Sequence, residues 1–186
     1  MITKESPLNG MNIGTATTVV IRELPGLHTI DLRVTPETSS QAAVAEALGI
    51  FLPNRQGQAI ERSVNNEHEA YVLQLASDWW IIIGYEDAMQ KLTPFKNHHH
   101  FSAVDVSGQR TTIELQGPNA REVLAHLWEQ DFREKSFPAG RASQGLMAKA
   151  PVIVWHFSPF CYRVMVRSSF ALHLWKALED AAAEWL

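Results

Sequence analysis

The stretch that decides the fold is Asp105–Leu127, DVSGQRTTIELQGPNAREVLAHL. Within it, Ile113 and Leu115 alternate with polar neighbours, which is the two-residue period of a strand with one buried face. Gly117-Pro118 ends this strand and begins a helix, because proline is preset for the first helical position. Apolar residues then recur at the spacing of one helical face, at Ala120, Val123, Leu124, Leu127 and Trp128. With the turn at Ser107-Gly108, the stretch predicts a strand pair followed by a helix, a ββα unit.

The same pattern recurs along the rest of the chain. Strand pairs are predicted at 17–24 with 27–34, 69–76 with 79–85, 100–107 with 110–116, and 150–157 with 161–167. A helix is predicted after each pair; the first ends at Gly49, a residue suited to the left-handed conformation at a helix end. Four ββα units predict an α+β fold with antiparallel sheets that carry helices on one face.

Three regions lack this regularity. Residues 1–16 are polar and rich in turn-forming residues, so we expect a flexible N-terminal arm that is ordered only if something holds it. Residues 51–69 show no period and are expected to form a long loop, either a tolerated surface insertion or a functional segment. A further loop is expected at 131–145. Residues 17–186 are predicted to form a single domain, with two pseudo-similar halves, 17–95 and 96–186, as the alternative division.

Composition excludes several classes of function. The 186 residues include 16 basic and 20 acidic side chains, a formal charge of −4. Because the basic residues are not clustered, nucleic-acid binding is not expected. The longest apolar run, Trp79–Ile83, is too short to span a bilayer, and the first residues do not resemble a secretory signal. The single cysteine, Cys161, cannot form an internal disulfide, which favours a cytoplasmic location.

Seven segments carry a resemblance to a known family. They are, in order, SPL (6–8), IRELPGLHTIDLR (21–33), LASDWWIII (75–83), DVSGQRTTIELQGPNAREVL (105–124), FPAGRASQGLMAKAPVIVW (137–155), YRVMVRSSFALHLWKAL (162–178) and AAAEWL (181–186). Together they resemble the gamma subunit family of heterotetrameric sarcosine oxidase, a relative of the glycine-cleavage aminomethyltransferase. That enzyme is about twice as long and has a second domain that these segments do not match, so a free-standing aminomethyltransferase is not expected. An iron–sulfur repair branch with a Lys-Gly-Cys motif also fits poorly, because Cys161 lies in SPFCYRV.

The resemblance implies a non-catalytic accessory subunit with the aminomethyltransferase folate-binding-type fold. Its implied partners are alpha and beta subunits, with delta as a further candidate. The implied complex oxidatively demethylates sarcosine to glycine and transfers the methyl carbon to tetrahydrofolate. FAD, FMN, NAD and tetrahydrofolate are implied for the partner subunits, and no cofactor is implied for this chain.

The histidine run His98-His99-His100 and the acidic residue Asp105 are the first chemical candidates. Adjacent side chains in an extended chain alternate in direction, so the histidines do not form a metal-ligand set, and we interpret them as a solvated approach to a strand. Asp105 and Arg110 flank a predicted hairpin turn, where a cross-strand pair is expected. The functional alternative makes Asp105 an acid or base in a one-carbon pocket.

The remaining candidates also have structural interpretations. Cys161 has no neighbouring histidine or carboxylate pattern, so an inert, buried thiol is expected. Lys149 and Arg167 are isolated cations that serve either as surface charges or as partners for an anion or a partner carboxylate. Tryptophans could stack on flavin or folate, but their apolar surroundings favour the core or a subunit contact; the main ones are Trp79, Trp80, Trp155 and Trp175.

The sequence therefore predicts no catalytic residue and no metal site, and it leaves cofactor-binding residues unassigned. Two alternatives to an accessory subunit remain open. One is a stand-alone folate-dependent one-carbon transferase or folate-binding module that uses Asp105. The other is a stand-alone binding module or homo-oligomer, for which an exposed patch of tryptophan and leucine is expected.

Overall fold

The structure is a computed structural model that describes residues 5–64 and 68–186. Its helices are α1 (Ser39–Leu48), α2 (Ala88–Leu92), α3 (Ala120–Leu127) and α4 (Ala171–Ala182), with 3₁₀ turns at Thr93–Asn97 and Ser168–Phe170. Its strands are β1 (Asn12–Gly14), β2 (Val20–Leu24), β3 (Thr29–Val34), β4 (Ala59–Val64), β5 (His68–Ala76), β6 (Trp79–Ile83), β7 (Phe101–Asp105), β8 (Arg110–Gln116), β9 (Arg141–Met147), β10 (Ala150–Ser158) and β11 (Cys161–Arg167). No helix in the described part of the chain is long and apolar enough to cross a membrane.

The strands form two antiparallel sheets. A six-stranded sheet has the order β1-β2-β8-β11-β10-β9, and a five-stranded sheet has the order β4-β5-β6-β3-β7. One face of the six-stranded sheet packs with α3 and α4 in one core, and one face of the five-stranded sheet packs with α1 and α2 in another. The predicted α+β class, with antiparallel sheets and helices on one face, is confirmed.

Local signals placed the end of α1 and the start of α3 correctly. The Thr38 hydroxyl caps the start of α1 by accepting from the backbone N–H of Gln41, as serine and threonine commonly do. Gly49 ends α1 with φ of 61°, a conformation that glycine adopts without steric cost. Helix α3 begins two residues after Pro118 and buries Ala120, Val123 and Leu124, three residues of the predicted face.

Two of the four predicted strand pairs are wrong. β5 pairs with β6 and β10 with β11 as expected, but β2 pairs with β1 and β8, and β7 pairs with β3. The turns at 25–28 and 106–109 therefore do not close hairpins; each carries the chain from one sheet to the other. Turn residues mark where a strand ends, and they do not specify which strand is its neighbour.

The predicted loops contain strands. β4 lies within 51–69 and pairs with β5, while residues 65–67 lie outside the described part. β9 begins within 131–145 and pairs with β10. In the predicted arm 1–16, Leu8 is 1% exposed and packs in a core cluster, and β1 pairs with β2. Pairing with neighbouring strands gives these segments a regular structure that their sequences do not signal. Residues 1–4 lie outside the described part.

Contacts divide the chain into two compact units that differ from the alternative halves 17–95 and 96–186. One unit comprises 1–26 with 108–186, and the other comprises 27–107. The division is discontinuous because β2 joins the sheet formed by the C-terminal strands. The single-domain prediction for 17–186 stays a prediction.

The two halves nevertheless repeat one order of elements. β2-β3-α1-β4-β5-β6-α2 is followed by β7-β8-α3-β9-β10-β11-α4. Val20, which begins β2, and Phe101, which begins β7, are 81 positions apart, and Ala88 and Ala171, which begin α2 and α4, are 83 apart. The first strand of each half pairs with the second strand of the other half, β2 with β8 and β7 with β3.

Candidate functional site

A buried ionic cluster occupies the six-stranded sheet on the face opposite α3 and α4. Arg22 on β2 and Arg163 on β11 are the register partners of Glu114 on β8, one on each side. Glu114 Oε1 accepts from Arg22 Nε at 2.9 Å and Nη2 at 2.5 Å, and Oε2 accepts from Arg163 Nε at 2.9 Å. The Glu114 side chain is 3% exposed, so the two arginines satisfy a carboxylate that has little access to water.

The electrostatics of this cluster keep Glu114 ionised. Burial on its own raises the pKa of the carboxyl, but the hydrogen bonds and positive charges of Arg22 and Arg163 outweigh it, and the net pKa is lowered. Arg163 also stacks on aromatic rings, with its guanidinium carbon 3.6 Å from the Phe157 centroid and 5.3 Å from that of Trp155. A carboxylate with a lowered pKa is a poor proton donor or acceptor near neutral pH, so the arrangement is structural rather than acid–base.

Cys161 lies beside this cluster as a buried thiol. Its pKa is raised to about 11, mainly by burial and further by the negative charge of Glu114. Since the thiolate is the nucleophilic form, this environment disfavours covalent catalysis by Cys161. The placement agrees with the buried, inert thiol predicted from the sequence.

Asp105 is exposed at the end of β7 and forms a local turn. Its Oδ1 accepts from the Ser107 backbone N–H at 2.9 Å and from the Ser107 hydroxyl at 2.5 Å. Arg110 begins β8 in the other sheet, so β7 and β8 do not form the predicted hairpin and Asp105 and Arg110 are not register partners. A pairing of their side chains stays a prediction. Within the turn, Asp105 is held by Ser107.

The three histidines follow the 3₁₀ turn Thr93–Asn97 and lead into β7. The backbone N–H groups of His98 and His99 donate to the Phe95 carbonyl, and that of His100 donates to the Ser40 hydroxyl at 3.1 Å. Within the described residues, no group of three or more histidine, cysteine, aspartate or glutamate side chains is arranged to hold a metal ion.

The tryptophans named as stacking candidates are held by their own structural contacts. Trp79 Nε1 donates to Asp31, and Trp80 Nε1 donates to the Pro53 carbonyl at 2.9 Å. Trp175 on α4 is fully buried in the core, and Trp155 is 3% exposed. These positions favour the core interpretation over cofactor stacking.

Lys149 and Arg167 lie at the surface. Lys149 sits in the β9–β10 turn, where both Ala148 and Lys149 have positive φ. Arg167 ends β11 and is the register partner of Arg110. The structure thus brings Arg167 next to a second arginine, whereas Lys149 marks a hairpin tip.

Sequence reasoning missed the ionic cluster and one buried histidine. Glu114 was assigned to a solvated face, but β8 is buried on both faces over Thr111–Leu115. His156 is 1% exposed, its Nδ1 lies 2.8 Å from the Phe137 carbonyl oxygen, and its ring stacks on Tyr162 at 4.3 Å. For His156 the available signal was an ionisable side chain inside an otherwise apolar strand. Glu114 has polar neighbours in β8, so no such signal was present there.

The fold defines the class of protein to which this chain belongs. The fold is an aminomethyltransferase-like α+β fold: it matches the aminomethyltransferase T of the glycine cleavage system from Bartonella henselae with a TM-score of 0.67 at 13% identity. The match covers 95% of this chain and 57% of that one, and at this identity it shows the fold alone.

The chain belongs to the sarcosine oxidase gamma subunit family, whose sequence model matches residues 34–184. It is 30% identical over 173 residues to the sarcosine oxidase subunit gamma of Corynebacterium sp. (strain P-1), covering 92% of this chain and 83% of that relative. It is 29% identical over 173 residues to the subunit gamma of an Arthrobacter species, with the same coverage.

A solved structure supports the same assignment. A chain of the heterotetrameric sarcosine oxidase from Corynebacterium sp. U-96, solved in complex with pyrrole 2-carboxylate, matches with a TM-score of 0.88 at 25% identity. The match covers 98% of this chain and 96% of that chain. The family resemblance stated from the seven sequence segments is therefore confirmed.

Proposed function

We propose that this chain is a non-catalytic accessory subunit of a heterotetrameric sarcosine oxidase complex. Its partners are alpha and beta subunits, with a delta subunit completing the tetramer. The assembly oxidatively demethylates sarcosine to glycine and passes the methyl carbon to tetrahydrofolate. The single observation that carries the proposal is the end-to-end structural match to a chain of such a complex.

The side chains of this chain support a non-catalytic role for it within the complex. Its buried carboxylate Glu114 is neutralised by two arginines, and its one thiol has a raised pKa. Asp105 is occupied by a local turn. We assign FAD, FMN, NAD and tetrahydrofolate to the partner subunits and a cytoplasmic location to the assembly.

The experiment is reconstitution with and without this chain. The alpha, beta and delta chains from the same source are produced together, and sarcosine-dependent oxygen consumption and particle mass are measured before and after this chain is added. We expect this chain alone to show no turnover, and its addition to increase the mass and stability of the active particle. Activity and mass that are unchanged by its addition would contradict the proposal.

The folate-dependent alternative is separated by a titration. If the isolated chain bound tetrahydrofolate and Asp105→Asn abolished that binding, the chain would be a folate module rather than a scaffold. Ser102→Ala on the same strand serves as the control, because Ser102 is exposed and lies outside the Asp105 turn. We expect no saturable folate binding by any of these proteins.

A further inference from the structure

The turn between β10 and β11 presents a phenylalanine to solvent in a strained backbone conformation. Phe160 is 63% exposed and has a φ of 61°. A bulky side chain is strained in this left-handed region, whereas glycine is not. Ser158 and Cys161 are register partners, so Pro159 and Phe160 form the turn, and a turn position with positive φ favours glycine or asparagine. Glycine at position 160 would therefore serve the fold of this chain better than phenylalanine does.

Two neighbouring segments hold this turn in place. The Gly117 backbone N–H donates to the Phe160 carbonyl at 2.9 Å. A Cβ added to Gly117 would lie 2.4 Å from the Thr18 carbonyl oxygen, so this glycine lets the chain at 117 lie directly against the chain at 18. The Asn119 N–H donates to the same Thr18 carbonyl at 3.1 Å. Phe160 thus projects from a backbone that is already ordered, which lowers the entropy cost of binding a partner.

The surface around Phe160 is uncharged. Three segments meet there, 16–18, 116–118 and 159–160, and all of them belong to one compact unit. An aromatic side chain in a surface without charges is the composition of the centre of a protein–protein contact. Without basic side chains, such a surface does not favour nucleic acid or an anionic membrane. The exposed residues of the three segments are Ala16, Thr17, Gln116, Pro118, Pro159 and Phe160.

The extent of this surface indicates which protein covers it. A phenylalanine buries about 150–250 Å², well below the roughly 800 Å² that each partner buries in a stable interface. The turn is therefore one anchor within a larger contact, and by itself it is too small to pair two copies of this chain. The matching solved chain comes from a heterotetrameric enzyme, so an unlike chain is the neighbour that the proposed function supplies.

We propose that Phe160 is an anchor that inserts into an apolar, uncharged pocket on a partner subunit of the complex. Pro118 and Pro159 pack against the rim of that pocket. The free energy of burying the aromatic ring then offsets the strain at position 160, which the fold of this chain alone does not offset. The inference rests on the proposed function, since it identifies a surface through which this subunit joins the complex.

The test measures the affinity of a labelled copy of this chain for the alpha, beta and delta chains produced together. Phe160→Gly removes both the ring and the strain, so it should raise the Tm of the isolated chain. The same variant should weaken association by about 30-fold or more, as the loss of a hot-spot side chain does. Phe160→Lys keeps a long side chain at the same φ but adds a charge, so it should weaken association at least as much with little change in Tm.

A matched control tests whether the position of the phenylalanine matters. Phe51→Lys makes the same change at a phenylalanine that is 58% exposed in the other compact unit. This variant should associate as the unaltered chain does. An equal loss of affinity in Phe51→Lys and Phe160→Lys would overturn the inference. So would a Tm and an affinity that both fall in Phe160→Gly, because Phe160 would then be a structural residue.

The outcomes also separate this inference from the proposed function. If the unaltered chain fails to join the partner chains, the proposed function is wrong and the anchor is wrong with it. If the unaltered chain joins them and Phe160→Lys joins with equal affinity, only the anchor is wrong. A dimer of the isolated chain that Phe160→Lys dissociates, with assembly unaffected, would assign this surface to a second copy and overturn the inference.

Discussion

At the scale of single residues, Glu114 links three neighbouring strands of the six-stranded sheet. Two arginines from neighbouring strands contribute three hydrogen bonds to its two carboxylate oxygens. A buried ion pair adds little to stability compared with apolar packing, but removing one partner leaves the others uncompensated. The cluster is therefore a point where one conservative substitution has a large effect.

Glu114→Gln should lower the free energy of unfolding by about 3 kcal/mol, the lower end for a broken buried pair, because Arg22 is 46% exposed and regains water. Urea unfolding followed by tryptophan fluorescence measures the change. Glu129→Gln is the matched control, because Glu129 is exposed on the surface, and it should change stability by less than about 0.5 kcal/mol. A loss of equal size in both variants would contradict the assigned role of Glu114.

The same cluster predicts a pH dependence. Because the folded pKa of Glu114 lies below its ordinary value of 4.5, its contribution to stability is complete above pH 4.5 and is lost as the pH falls through the folded pKa. The difference in unfolding free energy between the unaltered chain and Glu114→Gln should therefore be constant above that pH and narrow below it. If this difference in unfolding free energy grew as the pH was lowered, the lowered folded pKa of Glu114 would be contradicted.

At the scale of elements, β9 and the end of α3 meet at one close contact. A Cβ added to Gly145 would lie 2.6 Å from Cζ2 and 2.9 Å from Cε2 of Trp128. Non-bonded carbon atoms do not approach each other so closely. The lack of a side chain at Gly145 therefore lets the indole ring of Trp128 pack against β9. This contact explains why a glycine lies within β9, a place where glycine otherwise weakens a strand.

Gly145→Ala should destabilise the chain by about 1–3 kcal/mol, the usual cost of overpacking. Gly108→Ala is the control, since an added Cβ there meets no atom within 4 Å. Combining Gly145→Ala with Trp128→Leu removes the clash, so the double variant should be more stable than the sum of the two single effects predicts. Thermal unfolding of the unaltered chain, the two single variants and the double variant gives the coupling free energy between positions 128 and 145. Additive effects of the two substitutions would contradict the contact.

At the scale of the whole molecule, the exchange of first strands connects the two halves of the chain. Each half lacks one neighbour for its second strand, because β8 needs β2 and β3 needs β7. By contrast, residues 27–107 contain all the strands of the five-stranded sheet. The boundaries at which the chain can be divided are therefore set by strand pairing and not by the repeated order of elements.

This pairing predicts how fragments behave. Fragments 1–97 and 98–186 should each fail to unfold cooperatively when alone and should regain cooperative unfolding when mixed, while a fragment of 27–107 should unfold cooperatively by itself. Urea titration followed by fluorescence and size-exclusion chromatography measures all three. Independent, cooperative folding of 98–186 would contradict the dependence of its sheet on β2.

Much of the fold was predictable because local physics places its elements. Alternating polarity placed β5 and β8, and apolar runs placed β6 and β10. A glycine marked the end of α1, and a proline marked the start of α3. The missed strands β4 and β9 have mixed polarity, so their period is weak. Arg167 was singled out as a cation for an anion or a partner carboxylate, but its position opposite Arg110 on the neighbouring strand was not predicted.

The sequence alone determined the four helices and most of the strands, because capping, turn chemistry and apolar spacing act over a few residues. Family membership was also readable from seven ordered segments. Only the tertiary structure decided that β2 lies beside β8 rather than β3, and that Glu114 meets Arg22 and Arg163, 92 and 49 positions away. The physical reason is that a strand's period fixes which face is buried, while its backbone hydrogen bonds are alike for every candidate neighbour, so only packing of the whole sheet selects one.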